Sequence, residues 1–173
     1  GSGSGGVDRI GGSRAESLIA LAKANDATGS ANGWGDPIVR QSIMRLLSEE
    51  RIRAWTNQRV RAGLKAGRSP GPESSIGKVH QGSLNQRVQL LATELLGSAA
   101  VAWEASGLAS NHGPERYASG LPREVKGMLR SRANTIEGGT TEVNKNILGE
   151  RVLGLPREPD PWKSAPWRDV PRS

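Results

Sequence analysis

The sequence predicts an all-α fold, an antiparallel up-down helical bundle, on three observations. Apolar residues recur at helical rather than alternating spacing along the chain. Hydrophobic residues make up 35% of the sequence, but only 3% is aromatic and Phe is absent, so the interior is aliphatic with few β-branched runs. Capping residues stand just ahead of the periodic stretches at Ser13, Asp36 and Thr140. At 173 residues the chain is long enough for one core without covalent staples.

Residues 1–12 are Gly-rich and read as a flexible segment, and 13–156 as the bundle. Ser13 and Glu16 form a capping box that opens a first helix from Arg14 to about Ala24, broken by the polar stretch from Asn25 to Gly35. Asp36-Pro37 supplies an N-cap and a proline at the first helical position of a second helix. Its stripe runs through Val39, Ile43, Leu46, Leu47, Ala54, Val60 and Leu64, while Ile38, Met44, Ile52 and Trp55 lie off it, so more than one face is expected to be covered. Glu50, Asn57 and Arg61 on the apolar side suggest a buried polar network.

Pro72-Glu73 opens a third helix expected to reach about Ala105, with a coiled-coil-like seam of Leu84, Val88, Leu91, Leu95 and Ala102. Gly107 to Gly120 has no periodicity and reads as a loop. Leu121-Pro122 begins a fourth helix with Val125, Met128, Leu129, Ala133 and Ile136 on one side. Gly138-Gly139 interrupts it, and Thr140 caps a fifth helix through Val143, Ile147, Leu148 and Val152. Residues 157–173, with four prolines and two tryptophans, read as an extended tail.

Composition removes several function classes. With no cysteine there is no disulfide framework, Cys-ligated zinc, iron–sulfur cluster or thiol nucleophile, which suits a cytoplasmic protein. No metal site is expected, since His80 on the third helix has only one other histidine in the chain and reads as a core or interface residue. The net charge of +7 raises nucleic acid as a partner. Interspersed acids and few aromatic platforms argue against it. No stretch reaches the roughly 18 apolar residues of a membrane span.

Ser131 to Pro159, SRANTIEGGTTEVNKNILGERVLGLPREP, resembles the C-terminal signature of the flavin-dependent acyl-CoA dehydrogenases. Asp36-Pro37-Ile38-Val39-Arg40-Gln41 and Gly71-Pro72-Glu73-Ser74-Ser75-Ile76-Gly77-Lys78 are similar to segments of bacterial members, so the resemblance runs from about Glu16 to Pro159. It implies the all-helical C-terminal bundle of that family. It also implies an N-terminal helical domain and a middle β-domain that these residues do not contain, with FAD between the β-domain and the bundle and a neighbouring subunit completing the site.

The resemblance further implies a chemistry. In the family a carboxylate removes the acyl α-proton while the β-hydrogen leaves as hydride to the flavin, giving a 2-enoyl-CoA. Such a base needs a desolvated, raised pKa. In many members it is a Glu directly before the Gly-Thr of this turn. Gly138 stands there, and Glu137, one position earlier, is expected to be an exposed or capping carboxylate, so the base is unassigned. Other members place it on a preceding helix, where Asp8 is the nearest carboxylate and is not assigned the role.

Gly139, Thr140 and Glu142 fall where the family contacts the adenosine end of the flavin, with an interrupted helix N-terminus as the physical rationale. Glu94-Leu95-Leu96-Gly97 matches a second cofactor-side turn, with Glu94 replacing the Gln of many members. Two readings follow. One is the C-terminal domain of an FAD enzyme acting on acyl-CoA, assembled as a homo-oligomer or as a heteromeric dehydrogenase subunit and inactive alone. The other is a non-catalytic helical scaffold or partner subunit derived from that family.

Overall fold

The computed structural model describes residues 15–69, 71, 74–102, 121–157, 159 and 161–171. Among the described residues every regular element is helical: α1 (Ala15–Thr28), α2 (Pro37–Lys65), α3 (Ser74–Leu96), α4 (Arg123–Ser131) and α5 (Thr141–Arg151). None of these helices is long and apolar enough to cross a membrane. The expected capping Ser13 and the whole loop from Gly107 to Gly120 lie outside the described residues.

Cross-helix bonds give the directions. Ala15 N–H, at the start of α1, donates to Glu50 in the middle of α2 (3.1 Å), while the end of α1 joins the start of α2 through the short link over residues 29–36, so α1 runs against α2. Arg53 donates to Gln81 (2.8 Å) and Arg87 to Glu49 (2.7 Å), which sets α3 against α2. Gln86 reaches the Ser131 carbonyl (3.2 Å) and Asn85 the Asn134 side chain (2.6 Å), so α4 and the turn that follows it run against α3. This is an up-down bundle with α3 at its centre, touching every other helix. Its core joins Leu18, Ala22, Val39, Ile43, Leu46, Leu84, Val88, Ala92 and Leu95.

The Asp36 cap forms as expected, its carboxylate accepting from Ile38 N–H at 2.8 Å ahead of Pro37. Other boundaries move for local reasons. The first helix continues past Ala24 to Thr28 because the Asn25 side chain bonds away from its own turn, to the carbonyls of Asn32 (2.9 Å) and Leu95 (2.7 Å). Gly29, at φ 73°, then ends it. The third helix stops at Leu96, well short of Ala105, because Gly97 turns left-handed (φ 56°) into a 3₁₀ turn over Gly97–Ala100. Ala102 therefore leaves the expected seam and is exposed, while Leu84, Val88 and Leu95 are buried in it.

The buried apolar side chains of the second helix lie in its first half. Val39, Ile43 and Leu46 are buried, but Leu64 lies open, as do Ile38, Ile52 and Trp55 (74%, 54% and 60% exposed). The first described residue of α1, Ala15, lies against Glu50, so beyond that point α3 is the main neighbour of α2 among the described residues. The expected face of the fourth helix also changes. Val125 is buried while Leu129 and Ile136 are exposed; Ile136 lies beyond a 3₁₀ turn over Arg132–Thr135, which alters its phase relative to α4. Small and polar residues, Gly127, Ser131 and Asn134, face α3 instead. Within the tail, Trp167–Asp169 forms a 3₁₀ turn.

Candidate functional site

The turn between α4 and α5 is built around Asn134. Its buried side chain accepts from Asn85 (2.6 Å) and donates to Glu137 Oε1 (3.0 Å), and its carbonyl accepts from the Lys78 ammonium (2.5 Å). Arg130 Nη2 donates to Glu137 Oε2 at 2.7 Å. Gln86 braces the same turn through Thr135 Oγ1 (3.3 Å). Gly82 on α3 lets it approach: a Cβ there would stand 3.1 Å from the Asn134 carbonyl oxygen.

Gly138 and Gly139 follow with φ of 65° and 95°, a left-handed pair that ends one helix and redirects the chain into the next. Thr140 is the N-cap of α5, its Oγ1 accepting from Val143 N–H at 3.2 Å. Asn144, buried, clamps the entry by donating to the carbonyls of Gly139 (3.2 Å) and Thr140 (2.9 Å). The result is a helix N-terminus whose first-turn N–H groups, at Thr141 and Glu142, precede the α5 ladder, with the Lys78 side chain packed against Gly138. Replacing Thr140 with alanine is expected to cost about 1 kcal/mol of stability by uncapping α5, read as a lower urea midpoint.

Glu137 is tied down rather than desolvated. The hydrogen bond from Arg130, then that from Asn134 and the charges of Arg130 and Lys78, outweigh partial burial and hold its carboxyl below the usual carboxylate range. A general base for carbon acids needs the opposite shift. Its contribution to stability is thus complete at neutral pH and is lost only as pH falls through this lowered value. Carboxyl NMR should show Glu137 titrating below the ordinary glutamate range, and Arg130→Ala should bring it back toward that range.

The other sequence-predicted residues fall elsewhere. Glu142 is exposed on the first turn of α5. Glu94, at the far end of α3 from Lys78, is exposed, and its carbonyl accepts from Asn32 (3.2 Å). Sixteen residues of helix separate Lys78 from Glu94, about 24 Å at about 1.5 Å per residue. The two cofactor-side turns suggested by the resemblance therefore lie at opposite ends of α3.

The interhelix polar network expected at Glu50, Asn57 and Arg61 centres instead on Glu49. This carboxylate is paired with Arg87 and stands 3.5 Å from His80 Nε2, and the Arg87 bond holds it below its usual pKa. Glu50 caps α1 and Arg61 is exposed. His80 is a half-buried interface residue, and no group of three metal-ligating side chains exists among the described residues. Lys78, Asn85 and Asn134 were not legible as site residues, because only the packing of α3 against the turn brings them together.

The fold and this turn define a helical domain that presents a glycine-flanked helix N-terminus on a clamped, positively bordered edge. The family profile "Acyl-CoA dehydrogenase, C-terminal domain" matches residues 11–153. The chain belongs to the acyl-CoA dehydrogenase family and is of its C-terminal domain type. Relatives include acyl-CoA dehydrogenase IpdE1 of Mycolicibacterium smegmatis, 31% identical over 151 residues, covering 82% of this chain and 30% of that protein. IpdE1 of Mycobacterium tuberculosis is 29% identical over 129 residues, covering 71% and 28%. The chain thus spans under a third of the length of these relatives.

Solved structures of similar fold include the Tcur3481-Tcur3483 steroid ACAD, with a TM-score of 0.61 and 21% identity over 83% of this chain and 34% of that one. The ChsE4-ChsE5 complex from Mycobacterium tuberculosis gives a TM-score of 0.60 at 23% identity, covering 84% and 36%.

Proposed function

We propose that the chain acts as the C-terminal domain of a flavin-dependent acyl-CoA dehydrogenase, carrying out α,β-dehydrogenation of an acyl-CoA thioester in the cytoplasm. The observation that carries this reading is the open N-terminus of α5 behind the left-handed pair Gly138-Gly139. Its donors suit the polar edge of FAD: Gly139 would let the backbone approach, the first-turn N–H groups of Thr141 and Glu142 precede the α5 ladder, and Lys78 beside Gly138 adds positive charge. Gly139, Thr140 and Glu142 are the residues that would hold the cofactor, which when bound supplies the hydride acceptor. This chain orients that edge and keeps it rigid through Asn134 and Asn144.

The separation of the Glu94 and Gly139 turns favours assembly. Turns about 24 Å apart on one helix suit two different cofactor sites, so each site takes one turn from each of two chains, in a homo-oligomer or a heteromeric dehydrogenase. The exposed Ile38, Ile52 and Trp55 on α2 offer apolar surface for that contact. A second reading, a non-catalytic scaffold or partner subunit of the family, is favoured by Gly138 at the usual base position and by the engaged state of Glu137.

The test is reconstitution. These 173 residues alone should be colourless and show no acyl-CoA-dependent reduction of an electron acceptor, even with added FAD. Supplying the remaining domains or a partner subunit should restore flavin binding, which Thr140→Ala should then weaken. A yellow, active preparation of this chain alone would refute the proposal, and flavin binding without turnover after reconstitution would select the scaffold reading.

A further inference from the structure

The positive charge is not evenly interspersed with acids, contrary to the expectation from the sequence. Residues 51–72 carry six cations, Arg51, Arg53, Arg59, Arg61, Lys65 and Arg68, and no Asp or Glu. The end of this stretch closes a cleft of about 270 Å³ between the last turns of α2 and the start of α3. Val60, Leu64 and Ile76 form its apolar floor, with Arg59, Arg68 and Ser69 at its rim. It shares no residue with the Gly138-Gly139 turn.

Arg68 is exposed, and its backbone is fixed by the turn that ends α2. Gly67, at φ 79°, closes α2 in a Schellman turn, with Gly67 N–H donating to the Leu64 carbonyl and Arg68 N–H to the Gly63 carbonyl, both at 3.1 Å. That turn folds the Arg68 guanidinium back over buried Gly63, where a Cβ would stand 3.0 Å from its Nε and Nη2. Among the described residues neither Arg59 nor Arg68 has a carboxylate partner.

Two guanidinium groups without a carboxylate partner among the described residues, beside apolar side chains, are the chemistry that recognises a tetrahedral anion bearing an apolar group. We propose that this cleft binds a phosphate monoester carrying a compact ring, with the phosphate on Arg59 and Arg68 and the ring over Val60, Leu64 and Ile76. A monoester at neutral pH carries a charge of about −1.5 to −2 and three acceptor oxygens. The cleft's volume suits one ring and its phosphate rather than a long acyl chain.

Amide-resolved NMR titration of the 173-residue chain tests this, with phenyl phosphate as the probe and inorganic phosphate and benzoate as comparisons. Phenyl phosphate should shift the amides of Val60, Gly63, Leu64 and Ile76 saturably, with a Kd of about 1 mM or below. Inorganic phosphate and benzoate should each bind at least about tenfold more weakly, and Arg68→Ala should cost about tenfold. Gly63→Ala should push the guanidinium aside and weaken binding while leaving the helical circular dichroism unchanged. Equal binding of all three anions, an unchanged Kd in Arg68→Ala, or shifts scattered over the other arginines would overturn the proposal.

Discussion

Replacing Ile43 with alanine is expected to cost about 2–5 kcal/mol of folding free energy. Ile43 is fully buried and is among the largest fully buried side chains. It sits on the half of α2 that meets both α1 and α3, within the single cluster that joins Leu18, Ala22, Leu84 and Val88. Truncation removes three carbons from that cluster and leaves a cavity that rigid helices only partly refill. Against a typical domain stability of about 5–15 kcal/mol, this is a large fraction, visible as a lower urea midpoint with an unchanged slope. Ile52→Ala is the matched comparison. That residue lies on the same helix but is 54% exposed, and the change should stay within about 0.5 kcal/mol. Equal losses would show that the second half of α2 is also covered in solution.

Gly127→Ala is expected to destabilise by about 1–3 kcal/mol, although alanine ordinarily favours a helix over glycine. Gly127 lies on the buried face of α4, and a Cβ there would stand 2.1 Å from Oε1 and 2.9 Å from Cδ of Gln89. Gln89 is 1% exposed and bonds to Asn85, which in turn bonds to Asn134. Displacing it either opens the α3–α4 contact or strands a buried amide, and both outcomes are costly. The damage should propagate to the Gly138-Gly139 turn through Asn85. Chemical denaturation read beside the amide shifts of residues 134–140 checks both parts. A stabilised variant with an undisturbed turn would show that α4 docks less closely than described.

Asp36 and Thr140 were readable as caps because capping is a local exchange between a side chain and N–H groups two or three residues ahead, which sequence spacing expresses directly. The seam of Leu84, Val88 and Leu95 was readable for a similar reason, since helical periodicity places those residues on one side whatever the neighbour is. The candidate cofactor edge at Gly139, Thr140 and Glu142 came from a motif, and the left-handed glycine pair gives that motif its physical sense. Motif and spacing carried no information on Lys78, Asn85 and Asn134. These residues come from separate stretches of chain, and polar side chains declare no partner until two helices are docked.

The sequence by itself determined that the chain is helical, where most helices begin, and which family it resembles, because each depends on interactions within a few residues or on an ordered set of motifs. Tertiary structure alone decided which apolar stripes are covered. Ile136 is exposed beyond a 3₁₀ turn that alters its phase relative to α4, Leu129 is exposed within α4, and Ile52 and Trp55 are exposed beyond the point where α1 meets α2. It also decided the state of Glu137. A carboxylate one residue from the usual base position is chemically ambiguous until Arg130 and Asn134 are seen to hold it ionised. Proton affinity is set by the charges and donors that surround a group in space, and the order of residues along the chain does not specify them.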